Sequence, residues 1–284
     1  MTLRKDVPFD QIGYWSEIKL DIIKEYAAAY SKILSAQQHP SLYHIYIDAF
    51  AGAGLHMSKT SGHFVPGSPT NALLIKPPFR EYYFIDLHEQ KVAALEIQAK
   101  ERKDVHIFHG DCNSVLLDRV LPQAKYEDYR RALCILDPYG LHLDWKVVAQ
   151  AGRMRSVEIF LNFPVADMNR NVLWRDRKGV AVEQKERMNV YWGDDSWKRV
   201  AYKPSSQGAL WGPPAEEKAS NEEVAAAFRE RLKDVAGFSN VPKPIAMRNS
   251  NNAVVYYLFF ASQKPVAEGI VRDIFSKYRD RGGN

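Results

Sequence analysis

The sequence predicts an α/β protein with a doubly wound, mostly parallel sheet, a C-terminal antiparallel strand and a mainly helical insert. Three observations carry this expectation. Apolar β-type runs recur at 43 to 47, 81 to 86, 105 to 109, 132 to 136 and 157 to 163, and helical patterns separate most of them. That alternation yields a parallel sheet with helices on both faces. The first run ends in an acid followed by a glycine pair, Asp48-Ala-Phe50-Ala-Gly52-Ala-Gly54, and beyond residue 164 the alternation breaks.

Taken in order, residues 1 to 40 form a helical leader. Ile18, Ile22, Ile23, Tyr26, Tyr30, Ile33 and Leu34 have the spacing of an amphipathic helix over 15 to 35, and His39-Pro40 closes it. The core follows at 41 to 164. Leu55 to Gly67 is longer than a usual βα turn and reads as a loop, and Ser68-Pro69 reads as an N-cap and first-turn pair opening a helix to about Lys76. Residues 165 to 242 are the insert or substrate lobe, with loops at Pro204 to Gly208 and Gly212 to Pro214. Val224, Ala227, Phe228, Leu232 and Val235 mark an amphipathic helix near its end. Residues 243 to 284 complete the core: an antiparallel pair at 243 to 248 and 253 to 261, joined through Asn249-Ser-Asn-Asn252, and a closing helix at 265 to 279.

Composition narrows the class. At 284 residues the chain accommodates one large domain with an insert. No apolar run approaches the ~20 residues of a membrane span, and Met-Thr-Leu-Arg-Lys-Asp lacks the apolar core of a signal peptide, so a cytoplasmic, non-membrane protein is expected. Cys112 and Cys134 have no paired spacing, which indicates neither a disulfide framework nor a metal site. The net charge of +5 points to an anionic partner, although it also suits many ordinary soluble proteins.

In an open α/β sheet, ligands bind outside the carboxyl ends of the strands, and here those ends are repeatedly acidic. Gly52 and Gly54 let the backbone bend and approach a ligand, though glycines there could also serve only a tight turn. Asp48-Ala-Phe50-Ala-Gly52-Ala-Gly54 resembles the first motif, D-x-F-x-G-x-G, of Rossmann-like methyltransferases that use S-adenosylmethionine (SAM). In that reading Asp86, ending Glu81-Tyr-Tyr-Phe-Ile-Asp86, accepts the ribose hydroxyls, and Asp111 of His109-Gly-Asp111 takes the adenine amino group. Any one of these acids could instead cap a helix. NAD binding is disfavoured because the turn lacks the third glycine of that fingerprint, and a nucleotide P-loop because Gly-Lys-Ser/Thr is absent. No His-Glu-x-x-His or Cys-x-x-Cys pair supports a metal site.

The fourth strand end, Asp137-Pro138-Tyr139-Gly140, resembles the D-P-P-Y/F tetrad of amino-methyltransferases. There the acid and a proline-fixed carbonyl accept the amine protons while the aromatic ring stacks on a planar substrate, so that positioning does most of the catalytic work. This chain has one proline, and its ring stands one residue earlier. A rival acceptor site is Asn162-Phe163-Pro164 at the fifth strand end.

Within 170 to 204 the basic residues exceed the acidic ones by four of the chain's net five charges. Trp174, Trp192, Trp197 and Trp211 lie in the insert, with Arg170, Arg175, Arg177, Lys178, Lys198 and Arg199 around the first three. Cations beside stacking rings are the ingredients of single-stranded nucleic-acid binding. The other reading is a solvated helical lobe whose tryptophans form its own small core.

Taken with Gly13-Tyr-Trp-Ser-Glu-Ile-Lys19, Ile47 to Gly54, Gly67-Ser-Pro-Thr-Asn-Ala72, Leu136-Asp-Pro-Tyr-Gly140 and Phe160-Leu-Asn-Phe-Pro164, nearly the whole chain resembles the three-Cys-motif partner protein family, TcmP. The resemblance implies a Rossmann methyltransferase-like fold and association with a separate three-Cys-motif protein that resembles radical-SAM proteins. It supplies no established reaction. Two functions are therefore expected as alternatives: a SAM-dependent methyltransferase acting on a nitrogen of a nucleobase or nucleic acid, and a non-catalytic partner subunit. In the first, Asp48, Phe50, Gly52, Gly54, Asp86 and Asp111 bind the cofactor, and Asp137, Pro138 and Tyr139 orient the acceptor. Asn162, Trp174, Arg175, Arg177, Lys178, Lys198 and Arg199 contact the substrate.

Overall fold

The computed structural model describes residues 9–37, 39, 41–204 and 216–279. The loops expected over 205–208 and 212–214, together with Trp211 and Pro40, lie outside the described residues. Strand β1 (Gln11–Ile12) precedes the long helix α1 (Tyr14–Ser35). The core then runs β2 (Tyr43–Asp48), β3 (Leu55–Ser58), β4 (Phe64–Pro66), α2 (Ser68–Leu73), β5 (Glu81–Asp86), α3 (Glu89–Gln98), β6 (Val105–His109), α4 (Cys112–Val115), β7 (Arg130–Leu136), α5 (Trp145–Met154) and β8 (Val157–Phe163). After it come α6 (Val165–Asn171), α7 (Val182–Trp192), α8 (Trp197–Ala201), the short antiparallel pair β9 (Tyr202–Pro204) and β10 (Glu216–Lys218), and α9 (Asn221–Asp234). Strands β11 (Ile245–Arg248) and β12 (Val254–Ala261) and helix α10 (Pro265–Arg279) follow.

The expected fold class is what forms. One seven-stranded sheet has the order β11-β12-β8-β7-β2-β5-β6. Strands β2, β5, β6, β7 and β8 are mutually parallel, whereas β12 runs antiparallel to β8 and β11 antiparallel to β12. From β2 the chain steps outward to β5 and β6, then returns to the other side of β2 at β7. The strand order therefore reverses between β2 and β7, where a ligand crevice opens at the carboxyl ends. In register, Asp48 pairs with Phe84 on one side and Ile135 on the other, so it stands at that switch point.

The central strands read as near-continuous apolar runs because both faces of the sheet are covered. In β2, Ile45 and Ile47 join one buried cluster and Tyr46, between them, joins the other. The first cluster holds α5 and helices α6 to α9. The second holds α1 and α10, with Ile18, Ile22, Ile23, Tyr26 and Tyr30 turned inward as their spacing requires. Residues from the insert do not form a core of their own: Met168, Met188, Tyr191, Trp192, Trp197 and Phe228 pack in the same cluster as Ile159 and Phe163 of β8.

Two local expectations change. Leu55 to Gly67 is a β-hairpin rather than an irregular loop, turning at Gly62 (φ 71°) and pairing β3 with β4. Its β3 edge takes up β1 in parallel, Gln11 beside Met57 and Ile12 beside Ser58, so residues 11 and 12 are tied to the hairpin. Helix α2 ends at Leu73 rather than near Lys76, because two prolines at 77 and 78 disfavour helical backbone just ahead of them and remove a donor. Its N-cap is Gly67, one residue before Ser68.

Candidate active site

The site begins with the glycine turn. Gly52 (φ 65°) and Gly54 (φ 77°) both occupy left-handed backbone, which a side chain disfavours. They serve different ends. A Cβ on Gly54 would stand 2.8 Å from Gln98 Oε1 and 2.9 Å from Thr70 Oγ1, so this glycine permits close packing of α2 and α3 against the loop. A Cβ on Gly52 would meet nothing nearer than His56 Cε1 at 3.8 Å and Asp10 Oδ2 at 3.9 Å, so this face opens toward a cavity. Backbone bonds from Ala49 to Ile135 O and from Ala51 to Ile85 O anchor the turn between β7 and β5.

Asp48 is fully buried. Burial raises its carboxyl to about 7, against the opposing influence of Ser68 and the Phe50 amide, and the charges of Asp137 and Asp86 push the same way as burial. The Phe50 amide donates to Oδ1 at 3.3 Å. Ser68 lies near enough to favour the carboxylate but completes no well-formed bond, and Oδ2 has no partner. Asp86, also buried, accepts the Gly52 amide on Oδ2 and the His88 amide on Oδ1, each at 2.8 Å. It thereby shapes the glycine turn while keeping further lone pairs on both oxygens. Asp111 caps α4, accepting from Asn113 and Ser114 amides at 3.0 and 3.1 Å.

Asp137 is engaged on both oxygens. Asn162 Nδ2 donates to Oδ1 at 2.7 Å, and the Lys19 ammonium forms a short ion pair with Oδ2. Lys19 comes from α1, 118 residues earlier, and is buried. Burial opposes its charge, but Asp137 beside it more than compensates, and the ammonium is held above its ordinary range. The same ammonium lies 5.2 Å from the centre of the Tyr256 ring. Asn162 Oδ1 is buried without a partner. Pro138 lines the cavity, and the Tyr139 ring beside it is 60% exposed, presenting an aromatic face.

The arm of residues 9 to 12 borders this region. Asp10 Oδ2 accepts from Lys91 Nζ at 2.8 Å and from the Tyr139 hydroxyl at 3.0 Å, and Lys91 lies 5.5 Å from the Tyr139 ring centre. Beneath this arm is a cavity of about 250 Å³, whose walls include Lys19, Phe50, Gly52, His56, Asp137 and Asn162. Burial lowers the His56 imidazole, leaving it neutral at pH 7, and its Nδ1 lacks a partner. Lys19, Asp10, Lys91, His56 and Tyr256 were not among the sequence candidates. The signal for Lys19 was its place in Gly13-Tyr-Trp-Ser-Glu-Ile-Lys19.

The insert residues lie elsewhere. Arg177, Lys178 and Lys198 line a separate cleft of about 370 Å³, joined there by Lys185 and by Trp197 and Tyr202. Arg177 stacks over Tyr202 at 4.7 Å, and Lys198 pairs with Asp195 at 3.0 Å. Arg175 and Arg199 are not in its wall. Trp192 and Trp197 are 1% and 3% exposed, whereas Trp174 is 41% exposed, with its indole N–H given to Arg170 O.

An orphaned buried carboxylate oxygen, an open glycine face and an acid with spare lone pairs suit a ligand carrying amino and hydroxyl donors, as SAM does. Phe50 and Gly52 are in the wall of the 250 Å³ cavity, whereas Asp48, Gly54, Asp86 and Asp111 are not among its wall residues.

No protein-family model matches the sequence, and no curated protein matches it. Among solved structures, a Legionella pneumophila protein of the DUF519 family superposes with a TM-score of 0.52 at 13% identity, over 93% of this chain and 94% of that one. A candidate methyltransferase from Thermobifida fusca gives 0.42 at 13% identity, covering 88% and 80%. A SAM-dependent methyltransferase from Aquifex aeolicus gives 0.32 at 12%, covering 87% and 96%. The first likeness is one of fold. Sheet order and glycine turn together define a doubly wound, mostly parallel α/β fold with a ligand crevice at the switch point.

Proposed function

We propose that the chain is a SAM-dependent methyltransferase that modifies an amino or other nitrogen of a nucleobase or nucleic acid. The observation that carries this reading is a pair of buried, unpartnered oxygens, Asp48 Oδ2 and Asn162 Oδ1, on the two strands that flank β7 and Asp137. An unsatisfied buried acceptor costs about 1 to 3 kcal/mol; Asn162 is in the cavity wall, and Asp48 lies behind the wall residue Ser68, which neighbours it.

Asp48, Phe50, Gly52, Gly54, Asp86 and Asp111 would hold the cofactor. When bound, SAM supplies an electrophilic methyl group on a sulfonium sulfur. Asp48 Oδ2 would take the ammonium of its amino-acid end, and the spare lone pairs of Asp86 would take ribose hydroxyls. At the acceptor, Asp137 is occupied by Lys19 and Asn162, so Asn162 Oδ1 receives one N–H and the Pro138 carbonyl the other. Tyr139 supplies the stacking face. Fixing both N–H directions would keep the nitrogen lone pair aimed at the methyl carbon, and methylation would leave the neutral thioether and pass one proton from the nitrogen to solvent. The net positive charge and the cleft of Arg177, Lys178, Lys185 and Lys198 support an anionic substrate.

The alternative, a non-catalytic partner of a three-Cys-motif protein, is favoured by the saturation of Asp137 and the closure of the cavity by Asp10. Isothermal titration with SAM and its demethylated product decides the cofactor: wild type binds, and Gly52→Val, forced into strained backbone on the ligand side, loses at least tenfold. Absence of binding to wild type, or equal affinity in the variant, overturns the cofactor reading. Methyl-group profiling of nucleic acid from cells with and without the gene then separates enzyme from partner.

A further inference from the structure

We propose that the groove outside the acceptor cavity binds the nucleotides flanking a target base in single-stranded nucleic acid. The inference takes the methyltransferase reading for what enters the cavity and the groove's own lining for the rest. The groove, of about 800 Å³, lies between the arm, the β3–β4 hairpin and the β11–β12 turn. It shares Gln11, Ile12, Ser16 and Tyr256 with the inner cavity, so the two adjoin along those residues.

Its chemistry differs from that of the cavity. Trp15 offers a half-buried ring, Lys59 and Arg248 offer cations, Asn249 and Asn252 offer amides, and none of the described residues of its wall is acidic. Arg248 gives one guanidinium N–H to Asn252 O at 2.8 Å, which orients the fork and leaves other donors for a ligand. The turn itself is set by Asn249 Oδ1, which accepts the Asn251 and Ala253 amides at 3.0 Å. The inner cavity asks for N–H donors and the outer groove for planar, anionic groups. Nucleotides joined in a strand meet both demands: one base enters to the acceptor site, and its neighbours stack on Trp15 and place phosphates near Lys59 and Arg248. A free mononucleotide would leave most of the groove empty. The basic cleft in the insert shares no wall residue with the cavity, and it is the competing site.

Fluorescence anisotropy with labelled 12-residue single-stranded DNA and RNA, across several salt concentrations, tests the assignment on the full chain. Lys59→Glu/Arg248→Glu should weaken binding at least tenfold at low salt and flatten the slope of log affinity against log salt by roughly 1.4, about 0.7 for each lost phosphate contact. SAM affinity by titration should be unchanged. Trp15→Ala, checked by its melting temperature, should weaken binding several-fold with no change in slope, and Trp15→Phe should restore most of it. The assignment is overturned if the double variant binds as wild type does, if only Lys178→Glu/Lys198→Glu weakens binding, or if a mononucleotide binds as tightly as the oligomer. Loss of oligomer affinity in the groove variant with no SAM binding by wild type would retire the methyltransferase reading while supporting the groove.

Discussion

Burial keeps the Asp48 carboxyl protonated up to about pH 7, while in the unfolded chain it ionises near its ordinary value of 3.8. Below about pH 4 both states hold the proton, and above 7 neither does. Between them the folded state binds the extra proton, so stability falls as pH rises across that window, by about 4 kcal/mol at most at roughly 1.4 kcal/mol per unit. Asp48→Asn should remove this decline, and urea unfolding of both proteins from pH 4 to 8 would show it; parallel profiles would count against the buried, raised acid. An ammonium placed at Oδ2 must favour the ionised form, so SAM binding near pH 6 should release a proton, seen as a buffer-dependent titration enthalpy. Lys19 and Asp137 form the other residue-scale test. Lys19→Met alone leaves a carboxylate without its cation and should cost about 3 to 5 kcal/mol, whereas Lys19→Met/Asp137→Asn should recover much of that loss in melting temperature. Asp137→Ala therefore reports on stability as well as turnover, and the double variant keeps the two apart.

Among elements, α5 is fixed against the turn after α9 by the absence of a side chain at Gly152, where a Cβ would fall 1.9 Å from Ala236 O. Because that neighbour is backbone, Gly152→Ala should destabilise by about 1 to 3 kcal/mol or more, read by chemical denaturation. The tryptophans of the insert divide in the same way. Trp192 and Trp197 are enclosed with Phe228 in the cluster that also covers β8, and Arg231 bridges Trp192 O, Asp194 and the Trp145 face. Their replacement by alanine should cost about 3 to 5 kcal/mol each. Trp174→Ala, at an exposed ring, should cost far less, and equal losses for all three would contradict this packing. The insert's helices are thus part of the sheet's covering layer, which their own sequence pattern left open.

For the whole molecule, the arm couples access to the site with the order of the fold. Asp10 is tied to Lys91 and Tyr139, and β1 to β3, so residues from both ends of the core close one cavity. Asp10→Ala should speed SAM association in stopped-flow fluorescence, while SAM at 100 times its dissociation constant should stabilise wild type by about 2.7 kcal/mol. No change in rate would mean that entry does not pass the arm. Among the described residues no helix is long and apolar enough to cross a membrane.

Sequence by itself determined the sheet, because apolar alternation, strand ends and glycine turns are local: Asp48, Gly52, Gly54, Asp86 and Asp137 could be placed at carboxyl ends from their own neighbours. It also determined the antiparallel finish at β11 and β12. Short segments were less legible; the four residues of β3 alternate too briefly to distinguish a hairpin from a loop. Only tertiary structure decided what each acid touches. The ion pair of Lys19 with Asp137 spans 118 positions and the bond of Tyr139 to Asp10 spans 129, and no periodicity encodes contacts that exist only once the chain has closed. The same closure decided which insert tryptophans are buried, and it left Asn162 Oδ1 and Asp48 Oδ2 without partners, because burial and hydrogen-bond satisfaction are properties of the packed whole.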